Sequence, residues 1–257
     1  MKPYRPQPQQ TASEQYAIGR NALKELLASD RDIDKIFVLR GDREFSLLRL
    51  LDQAKERRIP IVTVERAKLD AMAGTTSHQG VVISVSAQNY VSIDEILQVA
   101  ESRGEPPFLV LCDGVEDPHN LGAIIRTAEC AGAHGVIIPK RRAVGLTAVV
   151  SKASAGALSH MAVARVTNLA DTVERLKEKG LWIYAADMDG TPCYGTDMTG
   201  SAAFVFGAEG QGISPLLRKL CDFTVQIPLY GKVNSLNVSN AAAVILCEAA
   251  RQRHKKS

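Results

Sequence analysis

Ile227-Pro-Leu-Tyr-Gly-Lys-Val-Asn-Ser-Leu-Asn-Val-Ser-Asn240 runs straight into Ala241-Ala-Ala-Val-Ile-Leu246. A short strand ends at Pro228, and a polar loop delivers Asn234, Ser235, Asn237, Ser239 and Asn240 to the start of an apolar helix. The first turn of a helix leaves backbone N–H groups without intrahelical partners. Polar side chains gathered there make a binding site for a polar or anionic group. Capping alone requires one Ser or Asn, so most of these five side chains are free for another task.

Two stretches further upstream bear on that task. Leu109-Val-Leu-Cys-Asp-Gly-Val-Glu-Asp-Pro-His-Asn-Leu-Gly-Ala-Ile-Ile-Arg-Thr-Ala-Glu129 is a strand over 108–112, an entry turn at Asp117-Pro118 and a helix over about 120–133. Phe204-Val-Phe-Gly-Ala-Glu-Gly-Gln-Gly-Ile213 is a buried strand followed by a glycine-rich loop, where backbone can approach a ligand closely. That loop is neither GxGxxG nor a P-loop, which disfavours a Rossmann nucleotide enzyme. Taken singly, Arg126 is equally an exposed helix arginine paired with Glu129, Asn120 a plain N-cap and Glu209 a loop carboxylate.

Taken together and in this order, the three stretches resemble the three motifs of the SpoU (TrmH) family of RNA ribose 2′-O-methyltransferases, over residues from about 107 to 253. Residues from about 16 to 85, with Ile18-Gly-Arg-Asn-Ala22 and His78-Gln-Gly-Val81, resemble that family's substrate-binding domain. The two-domain layout looks closest to the branch that methylates a guanosine of bacterial 23S ribosomal RNA. The resemblance implies an α/β protein: a small RNA-binding domain like those of ribosomal RNA-binding proteins, then a parallel-sheet methyltransferase domain tied in a trefoil knot. It also implies a homodimer with the active site near the subunit interface, and S-adenosylmethionine as methyl donor.

The resemblance assigns catalysis to Arg126, Asn120, Glu209, Ser235 and Asn237, and cofactor contact to Gly207, Gly212, Ile227, Leu229 and Leu236. Methyl transfer to a ribose hydroxyl is an in-line displacement, so the protein must position the hydroxyl and manage its proton. Arg126 would activate that hydroxyl. A guanidinium has a pKa above about 12, so its chemistry suits gripping the adjacent phosphate and stabilising the alkoxide better than removing a proton. Asn120 would orient Arg126 or the ribose. The family commonly has a small apolar residue where this chain has Asn240, a departure that leaves the catalytic positions intact. The leaving group is neutral and no His, Cys or carboxylate cluster has ligand spacing, so no metal is expected.

The bulk properties fit one or two globular domains: 257 residues, 46% hydrophobic, 23% charged, net charge +3. Charge is roughly +3 over 1–87, roughly −3 over 88–105 and roughly +3 beyond. The expected layout is a disordered Pro/Gln-rich tail at 1–13, an RNA-binding domain at 14–87, an acidic linker at 88–106 and the methyltransferase domain at 107–257. Helices are expected over 44–57, 66–72, 147–158 and 236–251. The five scattered cysteines form no CxxC pair, arguing against zinc and disulfides, and most sit in apolar runs as core residues. No run suits a signal peptide or membrane span, so a reduced, cytoplasmic protein is expected.

Arg20, Lys24, Arg40, Arg43, Arg57 and Arg58 are candidate phosphate contacts, and His78 and Gln79 are expected to hold the entry of a strand. Scarce aromatics disfavour extensive base stacking. Two other functions stay open: the same chemistry on tRNA or another ribosomal nucleotide, and an RNA-binding assembly factor without catalysis.

Overall fold

A computed structural model describes residues 16–41 and 44–254. The tail at 1–13, Arg43, Lys255 and Lys256 lie outside them. The chain divides between Ala87 and Gln88 into two units.

The first unit carries strands β1 (Tyr16–Ile18), β2 (Ile33–Leu39), β3 (Ile61–Val64) and β4 (Val81–Val85) in the order β1-β4-β2-β3. Only the β2–β3 pair is parallel. Helices α1 (Arg20–Ala28) and α2 (Phe45–Glu56) bury Leu23, Leu26, Leu47 and Leu51 against Ile36, Val81 and Ile83. Helix α3 (Arg66–Ala73) sets Leu69 and Ala73 against Val64 and Val82, in a separate cluster. Alternating residues of β4 thus serve two cores, as the period of a strand requires.

His78 is fully buried ahead of β4. Its Nδ1 accepts from Gly80 N–H at 3.0 Å and its Nε2 meets Asp70 at 2.9 Å, so it holds the strand entry. Arg20 is a tie rather than a free phosphate contact. It donates to the Gln79 carbonyl at 3.0 Å and to Ser46 at 3.3 Å, and it pairs with Glu44. Arg57 likewise donates to the Leu27 carbonyl at 2.8 Å, and Arg40 pairs with Glu65 at 3.0 Å.

The second unit is a six-stranded, wholly parallel sheet ordered β10-β8-β9-β5-β6-β7. The strands are β5 (Phe108–Asp113), β6 (Gly135–Pro139), β7 (Val163–Val166), β8 (Trp182–Pro192), β9 (Ala202–Gly207) and β10 (Phe223–Gln226). Central strands β5 and β9 are buried almost throughout, as expected for a sheet covered on both faces. One face packs on α5 (Pro118–Cys130), α6 (Ala148–Ala153) and α9 (Val238–His254). The other packs on α4 (Ile93–Arg103), α7 (Leu169–Glu178) and α8 (Pro215–Leu220).

Several expectations are corrected. The supposed linker 88–106 contains α4, which begins with a full Ser92/Glu95 capping box and buries Ile93, Ile96 and Ala100. The helix expected over 147–158 stops at Ala153, followed by a turn and a short 3-10 segment, Ala157–Ser159. The last helix begins at Val238 rather than 236. Of the cysteines, Cys112 and Cys193 are buried, but Cys130 and Cys247 are exposed on their helices. Among the described residues, no helix is long and apolar enough to cross a membrane, and no group of three His, Cys, Asp or Glu is placed to hold a metal.

Candidate active site

A cleft of about 940 Å³ opens where β9 and β10 end, lined by the loops that follow them, by the middle of β8 and by the start of α9. Parallel α/β sheets place ligands at this carboxyl edge. Its size suits a nucleoside-sized ligand.

Gly207 closes β9, and the next residues turn back so that Ala208 and Gly212 exchange backbone hydrogen bonds at 3.1 and 2.9 Å. A Cβ on Gly207 would lie 2.1 Å from Gly212 C and 2.2 Å from Ile213 N. Only glycine lets the two backbones meet. Gly212 has φ +67 and lines the same cleft. The hairpin between them presents Glu209.

Glu209 anchors a triangle of side chains. Asn120 Nδ2 donates to Glu209 Oε1 at 3.1 Å, Asn237 Nδ2 donates to Asn120 Oδ1 at 3.0 Å, and Asn237 Nδ2 also donates to Glu209 Oε1. Asn237 simultaneously caps α9. Its Oδ1 accepts from Ser239 N–H at 2.9 Å, Ser239 Oγ at 2.6 Å and Asn240 N–H at 3.4 Å. Capping and site-building are thus one arrangement. Asn120, by contrast, is not the cap of α5. Asp117 takes that place, accepting from His119 N–H at 2.7 Å, with Pro118 in the first turn. Asn120 is buried and turned toward Glu209.

The other expected residues divide into two groups. Gly207, Gly212, Ile227, Leu229, Ser235 and Leu236 all line the cleft beside Glu209 and Asn237. Among the described residues, the Ser235 hydroxyl has no hydrogen-bond partner. Arg126 is not in the cleft: it is exposed on α5, six residues beyond Asn120, with no hydrogen-bond or ion-pair partner among the described residues. It does not pair with Glu129. Six residues turn a helix through more than one and a half turns, so Asn120 and Arg126 occupy different faces.

Sequence reasoning missed the β8 wall of the cleft, Ala186, Asp187 and Met188. Asp187 is held by Arg218 at 3.1 Å, which also pairs with Asp189 at 2.7 Å. Nothing in those residue types distinguishes them from an ordinary stretch of strand.

The residues fit an adenosyl-methionine group: apolar Ile227, Leu229, Leu236 and Ile245 beside polar Asn234, Ser235 and Gln226, with open backbone at the hairpin.

Comparison with known proteins agrees with this geometry. Residues 107–247 match the SpoU rRNA Methylase family, and residues 16–91 match the RNA 2′-O ribose methyltransferase substrate binding domain. YacO of Bacillus subtilis, named for the TrmH family of tRNA/rRNA methyltransferases, is 45% identical over 241 residues, covering 93% of this chain and 96% of that protein. The crystal structure of the SpoU methyltransferase AviRb from Streptomyces viridochromogenes with AdoMet is similar at TM-score 0.59 and 27% identity, over 96% of this chain and 94% of that one. The A. aeolicus TrmH/SpoU tRNA modifying enzyme is similar at TM-score 0.54 and 28% identity, over 63% of this chain and 84% of that one.

Proposed function

The chain belongs to the SpoU (TrmH) family of RNA ribose methyltransferases, and from that premise we propose that it transfers a methyl group from S-adenosylmethionine to a ribose 2′-oxygen, on a guanosine of bacterial 23S ribosomal RNA. The observation that carries this reading is the Asn120–Glu209–Asn237 triangle, set at the mouth of the cleft by the Gly207 hairpin.

S-adenosylmethionine supplies an electrophilic methyl carried on a positive sulfonium. The chain's own residues hold and orient. The Gly207–Gly212 hairpin and the loop from Ile227 to Leu236 bind the donor. Glu209, its Oε1 fixed by two asparagine amides, stays oriented at the edge where the ribose enters. Ser235 offers a free hydroxyl to the incoming ribose. Arg126 grips the phosphate next to the target ribose and stabilises the developing alkoxide.

The position of Arg126, exposed and outside its own cleft, supports a homodimer in which it serves the site of a second copy. Tyr230, exposed at 96% and outside the cleft lining, supplies apolar surface for that contact. The trefoil threading belongs to the same reading and is supported by the family match over 107–247. The first unit favours ribosomal RNA, since it matches a substrate-binding domain while the likeness to the tRNA modifying enzyme covers only 63% of the chain. Methylation of tRNA is the second reading, favoured by the tRNA/rRNA naming of the B. subtilis relative. Either reading goes with a cytoplasmic protein.

The test is transfer of labelled methyl to unmodified 23S, 16S and tRNA transcripts, mapped by resistance to alkaline cleavage. Label in 23S alone, abolished by Arg126→Ala with donor binding retained, is the expected result. Label in tRNA alone overturns the substrate. Donor binding without transfer to RNA, even in preribosomal particles, overturns the enzymatic reading.

A further inference from the structure

Between Glu129 and Asp171 the sequence contains no acidic residue, yet it carries Lys140, Arg141, Arg142, Lys152 and Arg165. Three of these are consecutive, immediately after β6. Strands β9, β5 and β6 are neighbours and parallel, so the Glu209 hairpin, the start of α5 and this basic loop all leave the same edge of the sheet.

The loop is firmly held. Lys140 N–H donates to the Val166 carbonyl at 2.8 Å, Val144 N–H to the Val115 carbonyl at 3.1 Å, and Leu146 N–H to the Tyr90 hydroxyl at 2.9 Å. Ala143 and Leu146 are buried. Between these anchors Arg141 and Arg142 are exposed, and among the described residues neither guanidinium has an ion-pair or hydrogen-bond partner. Arg142 has φ +53, a left-handed backbone that a non-glycine residue keeps only where its surroundings impose it.

One contact ties this loop to the active site. Gly114, with φ +79, lies between the two: a Cβ there would sit 3.1 Å from Ala208 Cβ and 4.0 Å from the Arg142 carbonyl oxygen. Ala208 is the residue before Glu209. A loop held by these bonds therefore brings the Arg142 backbone beside the Gly114 turn, which also borders the hairpin that carries Glu209, and leaves both guanidinium groups exposed on that edge of the sheet. Guanidinium groups in such a setting recognise phosphate, and phosphate contacts fix register without reading sequence.

We propose that Arg141 and Arg142 form a phosphate grip that positions the RNA backbone alongside the methylation site, in addition to whatever the first unit binds. The proposal rests on the RNA methyltransferase reading above. It makes both arginines positioning residues.

The test uses the full chain and the double variant Arg141→Gln/Arg142→Asn; asparagine tolerates the left-handed backbone. Arg175→Gln, which removes a charge on α7 on the opposite face of the sheet, is the control. Binding to 23S and tRNA transcripts is measured by anisotropy across a salt series, and methyl transfer is measured beside it. For the double variant we expect RNA affinity about tenfold weaker at moderate salt and a log–log salt slope shallower by about 1.5. The KM for RNA should rise with little change in kcat, and S-adenosylmethionine affinity should not change. Arg141→Lys/Arg142→Lys should restore most of the slope. Salt slope and KM equal to those of the unaltered chain, or an equal loss in Arg175→Gln, overturn the proposal. If the unaltered chain binds RNA but transfers no methyl, the enzymatic reading fails instead, and the salt slope still decides the grip.

Discussion

Asn237 donates to Asn120 across 117 positions of sequence, at 3.0 Å, and both amides also donate to one oxygen of Glu209. Asn237 Oδ1 is committed to Ser239 N–H and Oγ, so its amide cannot turn over without facing an oxygen toward the Glu209 carboxylate. The three motifs are thereby joined through two of their members and the hairpin carboxylate. Asn120→Ala should lower methyl transfer about a hundredfold, the scale of losing one oriented polar group, while S-adenosylmethionine affinity changes less than about threefold. Asn120→Asp should be worse, because it sets a second carboxylate beside Glu209. Single-turnover rates and calorimetry on the same preparations would separate the two effects; equal losses in rate and affinity would sink this account.

Gly207→Ala acts on the other half of the site. Its Cβ would meet backbone atoms at 2.1 to 2.4 Å, with no flexible side chain to give way, so the hairpin itself must move. Donor affinity should fall at least about tenfold, the result of misplacing a binding wall by a fraction of an ångström. Gly200, where a Cβ meets nothing within 4 Å, serves as the control, and Gly200→Ala should bind the donor normally. Titration calorimetry reads both; normal binding by Gly207→Ala would refute the close-approach role.

Much of this site was legible because its residue types are unusual for their position. Five polar side chains at a helix mouth exceed what capping needs, and Asn237 both caps α9 and donates to Asn120 and Glu209. The parallel sheet followed from the family resemblance, and the buried strands β5 and β9 agree with it. What escaped detection depends on tertiary placement. Helical spacing separates Arg126 from Asn120, but it does not say which of the two the cleft takes, and no periodicity reveals that Arg20 is tied to the Gln79 turn. Helix α4 escaped for a different reason. Its acidic residues and flanking prolines suggested a linker, although Ser92-x-x-Glu95 and the spacing of Ile93, Ile96, Leu97 and Ala100 spell a capped amphipathic helix.

That capping box offers a stability test. Ser92 Oγ accepts from Glu95 N–H at 3.2 Å, and Glu95 accepts from Ser92 N–H at 2.7 Å. Ser92→Ala removes the first of these together with the bond that Ser92 Oγ donates to Glu95 at 2.7 Å, and should cost about 1 kcal/mol. Chemical denaturation should show a lower midpoint with unchanged slope, and RNA binding should be unaffected. A midpoint equal to that of the unaltered chain would mean that α4 is held by its buried face alone.

His134 gives the second unit a pH dependence of definite sign. It is buried at the foot of β6; its Nδ1 accepts from Phe108 N–H at 2.9 Å, leaving Nε2 to meet Glu105 at 2.9 Å. A proton on Nδ1 would oppose the Phe108 N–H. Burial holds the imidazole below its usual pKa of 6.5, with Arg103 and Arg253 adding to the effect, and together they outweigh the pull of Glu105. The unfolded chain therefore takes up this proton at a higher pH than the folded one. Stability is fully present above about 6.5 and declines as pH falls toward the lower folded value. Glu105, held below its usual range by its bond to His134, adds a loss only at more acid pH. Unfolding free energy measured at pH 7.5 and 5.5 should fall more for the unaltered chain than for His134→Gln, which cannot titrate. Equal falls in the two would show that His134 is protonated in the folded protein as readily as in the unfolded chain.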